Sequence, residues 1–451
     1  LRGNQKDSHV DNKDNEIKYI RGFVGIISAF CIIISALNEM IEFEGFTPVY
    51  GGVCAAQGFT AGSVRAGIKA GSGKDDLAMI YCVKKCTAAA VYTQNVVKGA
   101  PIIVTQRHLQ DGFAQAVVVN SGNANTCNSN GVEIAELMCN LTAENLKLDP
   151  QDVIVASTGV IGQKLSAEIF EQNIPLLSCC LSEVGSTDAC KAIMTTDTRL
   201  KEFAFEFEIG GKTCSIGGIS KGSGMINPAM ATLLCFITTD VNISAEMLQK
   251  ALNEANIDSY SRVNIDGDTS TNDMACILAS GMAGNAEITD ANEDYAVFLD
   301  GLCAVMVNLA RETARDGEGA TKLIECLVKN APSLQAAELI SRSVISSSLV
   351  KAAVFAADAN WGRILCAAGY SGADFDPLKV SVKMLSANGE VLVCQNGVGV
   401  DYCEEAAHEV LSADEVVIVI DLQGDNPDNQ AIAWGCDLTY DYVKINAEYR
   451  T

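Results

Sequence analysis

From Gly51 onward, short apolar runs alternate with longer stretches in which apolar residues return every three or four positions, the pattern of strands interleaved with helices. Ala114 to Asn120 (AQAVVVN) predicts a buried strand, leading into the turn-rich stretch Ser121 to Asn130 and then a helix from about Val132 to Leu146. Val153 to Ser157 predicts another short strand, ending at Thr158-Gly159. Phe203 to Glu208 mixes apolar with acidic positions, and Gly210-Gly211 turns it back into Lys212 to Ile216, which is a hairpin signal. Asn388-Gly389 signals a second hairpin between Val380 to Leu385 and Val391 to Cys394. Helices are expected at Ala245 to Glu254 and Glu293 to Ala314, and a strand at Glu415 to Leu422. Hairpins mixed with helices predict a layered α+β architecture rather than a Rossmann sheet.

The start of the chain breaks this rhythm. A charged stretch to Lys18 precedes an apolar run from Phe23 to Leu37, interrupted by Gly25, Ser28 and Ser35. The run is shorter than the ~20 residues a spanning helix needs, and a short basic region and an Ala-x-Ala site of a signal peptide are both missing. Residues 1–45 therefore read as an extension packed on the domain or as a mis-assigned start of translation, with no membrane partner expected.

Composition narrows the function classes. A length of 451 residues with 48% hydrophobic and 20% charged positions supports a large globular core. A formal net charge of -24 repels phosphate backbones and anionic lipid heads, so nucleic acid is not an expected partner. The 3 histidines, His9, His108 and His408, lie far apart without ligand-type neighbours, which disfavours a zinc site or a Ser-His triad. The 18 cysteines include no Cys-x-x-Cys; the nearest pairs are Cys82/Cys86 and Cys179/Cys180. Many sit in apolar runs, as Cys235 does, and read as reduced thiols of a cytoplasmic protein.

Two motifs fail on inspection. Gly71-Ser72-Gly73-Lys74 lacks the earlier glycine of a phosphate loop, where Ile68 stands, and its hydroxyl residue after Lys, where Asp75 stands, so a surface turn is expected. Asp266-Gly267-Asp268 with Asp273 has no calcium-loop spacing and reads as turn residues capping backbone groups, with no metal expected. The segment Lys221 to Thr232 (KGSGMINPAMAT), followed by Leu233 to Asp240, is more informative. Its residues leave two readings open: a Gly/Pro turn before a core strand, or a segment cut at Ala231-Thr232. A cut would leave Thr232 with a hydroxyl and a free α-amine, whose reference pKa of about 7.7 to 8 suits it to act as its own general base.

The run KGSGMINPAMATLLCFITTD resembles the self-cleavage segment of the ornithine acetyltransferases, the glutamate N-acetyltransferase family of arginine biosynthesis. Further runs resemble the same family in order: VVVNSGNANTC (from Val117), STGVIG (from Ser157), AIMTTDT (from Ala192), DGDTSTND (from Asp266), ARDGEGATK (from Ala314), DANWGRIL (from Asp358) and INAEYRT (from Ile445). Ala352 and Ala356 depart from the Thr and Gly frequent there.

The resemblance implies an αββα-like sandwich similar to N-terminal nucleophile enzymes but of distinct topology, made of two chains, 46–231 and 232–451. It implies Thr232 as nucleophile, Thr158 and Gly159 as oxyanion stabilisers, and substrate contacts from Thr195, Lys221, Thr232, Glu318, Asn446 and Thr451, with Thr196 as the substitute for Thr195 should the motif be shifted by one. The substrates implied are N-acetylornithine and glutamate. No bound cofactor is implied, acetyl-CoA serves some members as a second acetyl donor, and the assembly is a heterotetramer. The rival enzyme reading is an N-terminal-nucleophile aminopeptidase or amidohydrolase of related architecture, whose nucleophile is typically Ser.

Overall fold

Continuous apolar runs such as Leu234–Thr239 and Met274–Ala279 form strands buried on both faces. The computed structural model describes residues 40–227 and 233–448; the Phe23 to Leu37 run, Ala231, Thr232 and Thr451 lie outside the described residues. Before the gap the strands are β1 (Thr47–Pro48), β2 (Phe59–Val64), β3 (Leu77–Tyr92), β4 (Phe113–Asn123), β5 (Val153–Val160), β6 (Lys201–Ile209) and β7 (Lys212–Lys221). After it come β8 (Leu234–Thr239), β9 (Val263–Asn264), β10 (Met274–Ala279), β11 (Leu323–Lys329), β12 (Ser381–Ser386), β13 (Gly389–Gln395), β14 (Val398–Gly399), β15 (Glu415–Asp421) and β16 (Ala431–Cys436).

Among the described residues, one 9-stranded sheet runs β1-β6-β7-β8-β10-β3-β4-β5 with β2 also on β3. It closes over itself. On β3, Ala78, Ile80, Ala88 and Ala90 join one inner cluster with Val117 and Val119 of β4 and with Phe236 and Cys276 of β8 and β10. Its other face begins in a cluster with the helices Gly131–Leu146 and Ala167–Cys179, through Leu77 and Met79. The same face ends, through Ala89 and Val91, in a cluster with the helices Ala245–Ile257 and Glu293–Arg315. The alternation of side chains along one strand thus yields helix, sheet, sheet, helix. This is the expected αββα sandwich, with its two sheet layers hydrogen-bonded into one.

A second sheet, of seven strands in the order β14-β13-β12-β15-β11-β16-β9, packs on the far side of the helix Glu293–Arg315, a layer the sequence pattern did not announce. Arg311 of that helix, 1% exposed in its side chain, holds Glu325 of β11 at 2.7 Å and Glu415 of β15 at 2.6 Å. These charge-assisted bonds fix the helix end from which Asp316 and Glu318 emerge.

Both hairpins and the helices form where expected, with ends within three residues of the expectation except at the far end of β7. Three strands run further than predicted, all at one end of the sandwich: β4 to Asn123, β5 to Val160 and β7 to Lys221. Each extension contains glycine, which reads as a strand end. Here glycine instead permits close approach: a Cβ on Gly217 would lie 2.0 Å from the Gly52 carbonyl oxygen. The described cysteines are all free thiols. Among the described residues no helix is long and apolar enough to cross a membrane.

Candidate active site

The strand ends that outrun their prediction converge. Gly122 of β4 pairs with Gly159 of β5. Gly159 has φ 128, and a Cβ there would sit 2.3 Å from the Gly122 carbonyl carbon, so no other residue fits without parting the strands. Thr158 and Gly159 are half-buried, and the residue before them is firmly held: the Ser157 hydroxyl donates to Asn120 Oδ1 at 2.6 Å. Asn272 Nδ2 donates to the carbonyls of Ala124 at 2.7 Å and Ser157 at 3.0 Å. The hydroxyls of Thr126 and Thr271 each donate to Asn272 Oδ1 at 2.6 Å, fixing which way that amide faces. Two residues on, the Met274 N–H donates to the Leu233 carbonyl at 3.0 Å. The first described residue after the Ala231-Thr232 junction is therefore tied, through Met274 and Asn272, to the strand carrying Thr158 and Gly159.

Lys221 ends β7, 6% exposed and paired across the sheet with Leu234. The loop after it is gripped by Asp197, whose carboxylate accepts the Gly222 N–H at 2.6 Å, the Thr195 N–H at 2.9 Å and the Lys201 ammonium at 2.9 Å. Lys201 also donates to Asp316. Burial alone would raise the Asp197 pKa, but the charges of Lys201 and Lys221 and the two N–H donors outweigh it and hold the carboxyl well below its usual range. Burial likewise pulls Lys201 down, and its two carboxylates more than reverse that. The Lys221 ammonium has no hydrogen-bond partner among the described residues, which leaves it available to an anionic substrate group.

On the loop after Lys221, the Ser223 carbonyl accepts the Glu318 N–H at 2.8 Å, and a Cβ on Gly224 would lie 2.5 Å from the Glu318 carboxyl carbon. Asn446 Nδ2 donates to Glu318 Oε2 at 2.8 Å. The two therefore meet across 128 residues of sequence, because the helix Tyr440–Glu448 docks on Gly319, where a Cβ would come within 2.6 Å of the Tyr442 nitrogen. Thr195 lines a cavity, whereas the Thr196 hydroxyl lies 2.6 Å from that of Ser223. Asp266 accepts the N–H groups of Ile226 at 2.9 Å and Asp268 at 3.2 Å, the capping role expected of that turn.

Thr195, Lys221, Glu318 and Asn446 are thus gathered around the loop that leads to the junction, and Thr158 and Gly159 are tied to the strand that leaves it. Asp197, Lys201, Asp316 and Asn272 complete the site without having been singled out. Asp197 lies within AIMTTDT, Asp316 within ARDGEGATK and Asn272 within DGDTSTND, so the motifs carried them. Their pairings, such as Lys201 with Asp316 across 115 residues, were not legible.

The ArgJ family model matches residues 60–451 of the chain. The chain belongs to the ArgJ family. It is 50% identical over 403 residues to the arginine biosynthesis bifunctional protein ArgJ of Symbiobacterium thermophilum, covering 89% of this chain and 99% of that one. A crystal structure of the ArgJ protein of Bacillus halodurans aligns with 43% identity and TM-score 0.45 over 48% of this chain and 98% of its own. The ornithine acetyltransferase of Mycobacterium tuberculosis, solved with ornithine, aligns with 32% identity and TM-score 0.38 over 42% of this chain and 99% of its own. Membership in the ArgJ family supports the acetyltransferase reading over the aminopeptidase one.

Proposed function

We propose that this ArgJ-family chain is an autoprocessing acetyltransferase of arginine biosynthesis that moves the acetyl group of N-acetylornithine to glutamate through an acetyl-Thr232 intermediate. One observation carries the site assignment: Asn272, two residues before the partner of Leu233, holds the Ala124 and Ser157 carbonyls and thereby aligns Thr158-Gly159 with the strand that follows Thr232.

In maturation the Thr232 hydroxyl attacks the Ala231 carbonyl, the peptide nitrogen leaves as the Thr232 amine, and water hydrolyses the resulting ester. Both products stay in one sheet, since β7 pairs with β8 and β3 with β10 across the break. In the first half-reaction Thr232 Oγ attacks the acetyl carbonyl, its own α-amine taking the hydroxyl proton and passing it to the departing ornithine amine. The oxyanion is received by the Thr158 hydroxyl and the Gly159 N–H, a pair of donors each worth about 3 kcal/mol when aimed at developing charge. Glutamate then attacks the ester through its amine and regenerates Thr232. Lys221 pairs with the substrate carboxylate and Glu318, oriented by Asn446, with the ornithine side-chain ammonium. Thr451 completes this reading at the chain end.

Acetyl-CoA enters the proposal as a second donor that loads the same threonine, and neither a metal nor a resident cofactor takes part in these steps. A heterotetramer of two cleaved protomers in the cytoplasm completes it.

The test is Thr232→Ala with a denaturing gel and an acetyl-transfer assay. The native protein is expected as two fragments and the variant as one full-length, inactive chain; two fragments in the variant would overturn the mechanism.

A further inference from the structure

A cavity of about 700 Å³ opens beside Thr195, lined among others by Lys69, Gly122, Gln163 and Met194. Its volume falls within the ~300–1,000 Å³ usual for small-molecule sites. Gly122 is the strand partner of Gly159, so the cavity borders the oxyanion donors. The GSGK turn, unremarkable by motif, contributes Ser72 and Lys74 to its wall.

Lys69 is built into this wall. Its backbone N–H donates to the buried Asp76 carboxylate at 2.8 Å, which also accepts the Ala66 N–H at 2.7 Å. Its ammonium donates to two carbonyls, Ala192 at 3.0 Å and Asp75 at 3.2 Å, and forms no ion pair among the described residues. Of three ammonium donors one is left over. Burial, reinforced by the charges of Lys74 and Lys221, lowers the amine pKa to about 8 against the pull of Asp76 and Asp197. Of the other charges at the cavity, Lys191 faces Asp188 at 3.9 Å and Asp75 accepts the Ser63 hydroxyl at 2.7 Å, while Lys74 is exposed to solvent, where its charge is screened and not held by a fixed wall.

The two amino acids of the proposed reaction make opposite demands. Each brings an α-carboxylate, which Lys221 suits. Ornithine adds a side-chain ammonium, which Glu318 suits, whereas glutamate adds a second carboxylate, which Glu318 would repel. We infer that Lys69 receives the side-chain carboxylate of the acceptor glutamate, so that ornithine extends toward Glu318 and glutamate into the Lys69 cavity. This assignment rests on the acetyl-transfer reading and deepens it.

The experiment compares wild type with Lys69→Met and Lys69→Gln, each confirmed as processed, in two assays: release of ornithine from N-acetylornithine without acceptor, and acceptor kinetics with glutamate and with glutamine. Glutamine matches glutamate in shape without its charge. Loss of the ammonium should lower kcat/KM for glutamate by about 10- to 100-fold, the range of a charge-assisted hydrogen bond. Glutamine should be far less affected, so the glutamate preference collapses, and Lys69→Arg should restore part of it. Equal losses for glutamate and glutamine, or an unchanged preference, would overturn the assignment. A wild-type protein that releases no ornithine would overturn the acetyl-transfer reading itself, which the first assay reports separately.

Discussion

Asp197→Asn tests whether the buried charge cluster holds the substrate loop. The carboxylate takes the Lys201 ammonium and the Gly222 N–H on Oδ1 and the Thr195 N–H on Oδ2. An asparagine keeps one acceptor and turns its NH₂ toward a donor at the other position, so at least one of these bonds becomes donor against donor. Lys201 and Lys221 balance Asp197 and Asp316 before the change, and one positive charge is left over after it. Removing one partner from a buried, hydrogen-bonded ion pair costs about 3–5 kcal/mol, a sizeable part of the ~5–15 kcal/mol total stability of a domain.

Urea denaturation of the processed protein at neutral pH should show that loss, with KM for N-acetylornithine raised because Thr195 and Gly222 lose their shared anchor. The Asp197 pKa is depressed in the folded protein, so its contribution is complete above the unfolded value of about 3.9 and fades as pH falls through the lower folded value. The gap between wild type and variant should hold from pH 7 to about 5 and narrow below about 4. A loss under about 1 kcal/mol at pH 7, or a gap that widens in acid, would refute the role given to this carboxylate.

Thr158→Ala should lower kcat by roughly 10²-fold with a smaller change in KM, as expected for a donor that acts mainly in the transition state; steady-state kinetics showing an unchanged kcat would remove Thr158 from the site. Deleting Ala447 to Thr451 should raise KM for N-acetylornithine while cleavage at Thr232 proceeds, read by kinetics and a denaturing gel, since Asn446 sits on the helix just before the deleted residues and would lose its support. Kinetics matching the intact enzyme would mark the tail as dispensable.

What the sequence alone determined was local. The Gly210-Gly211 and Asn388-Gly389 turns, the helical periodicity of Glu293 to Ala314 and the layered α+β class follow from chemistry between near neighbours, which a linear reading sees, whereas the sandwich came from the family resemblance. The segment before Thr232 and the residues gathered around Lys221 were legible for a related reason: each motif is short and contiguous.

Tertiary structure decided the rest. The glycines at 122, 159 and 217 read as strand ends, and only the backbone pressed against each shows why the strands continue through them. Lys69, Lys201 and Asp197 look in sequence like any surface charge, because an ion's cost or worth depends on the water it has lost and the partners that replace it. Those partners lie far along the chain, Asp316 from Lys201 and Asn446 from Glu318, and meet because the helix Glu293–Arg315 packs on β6 and the helix Tyr440–Glu448 docks on Gly319.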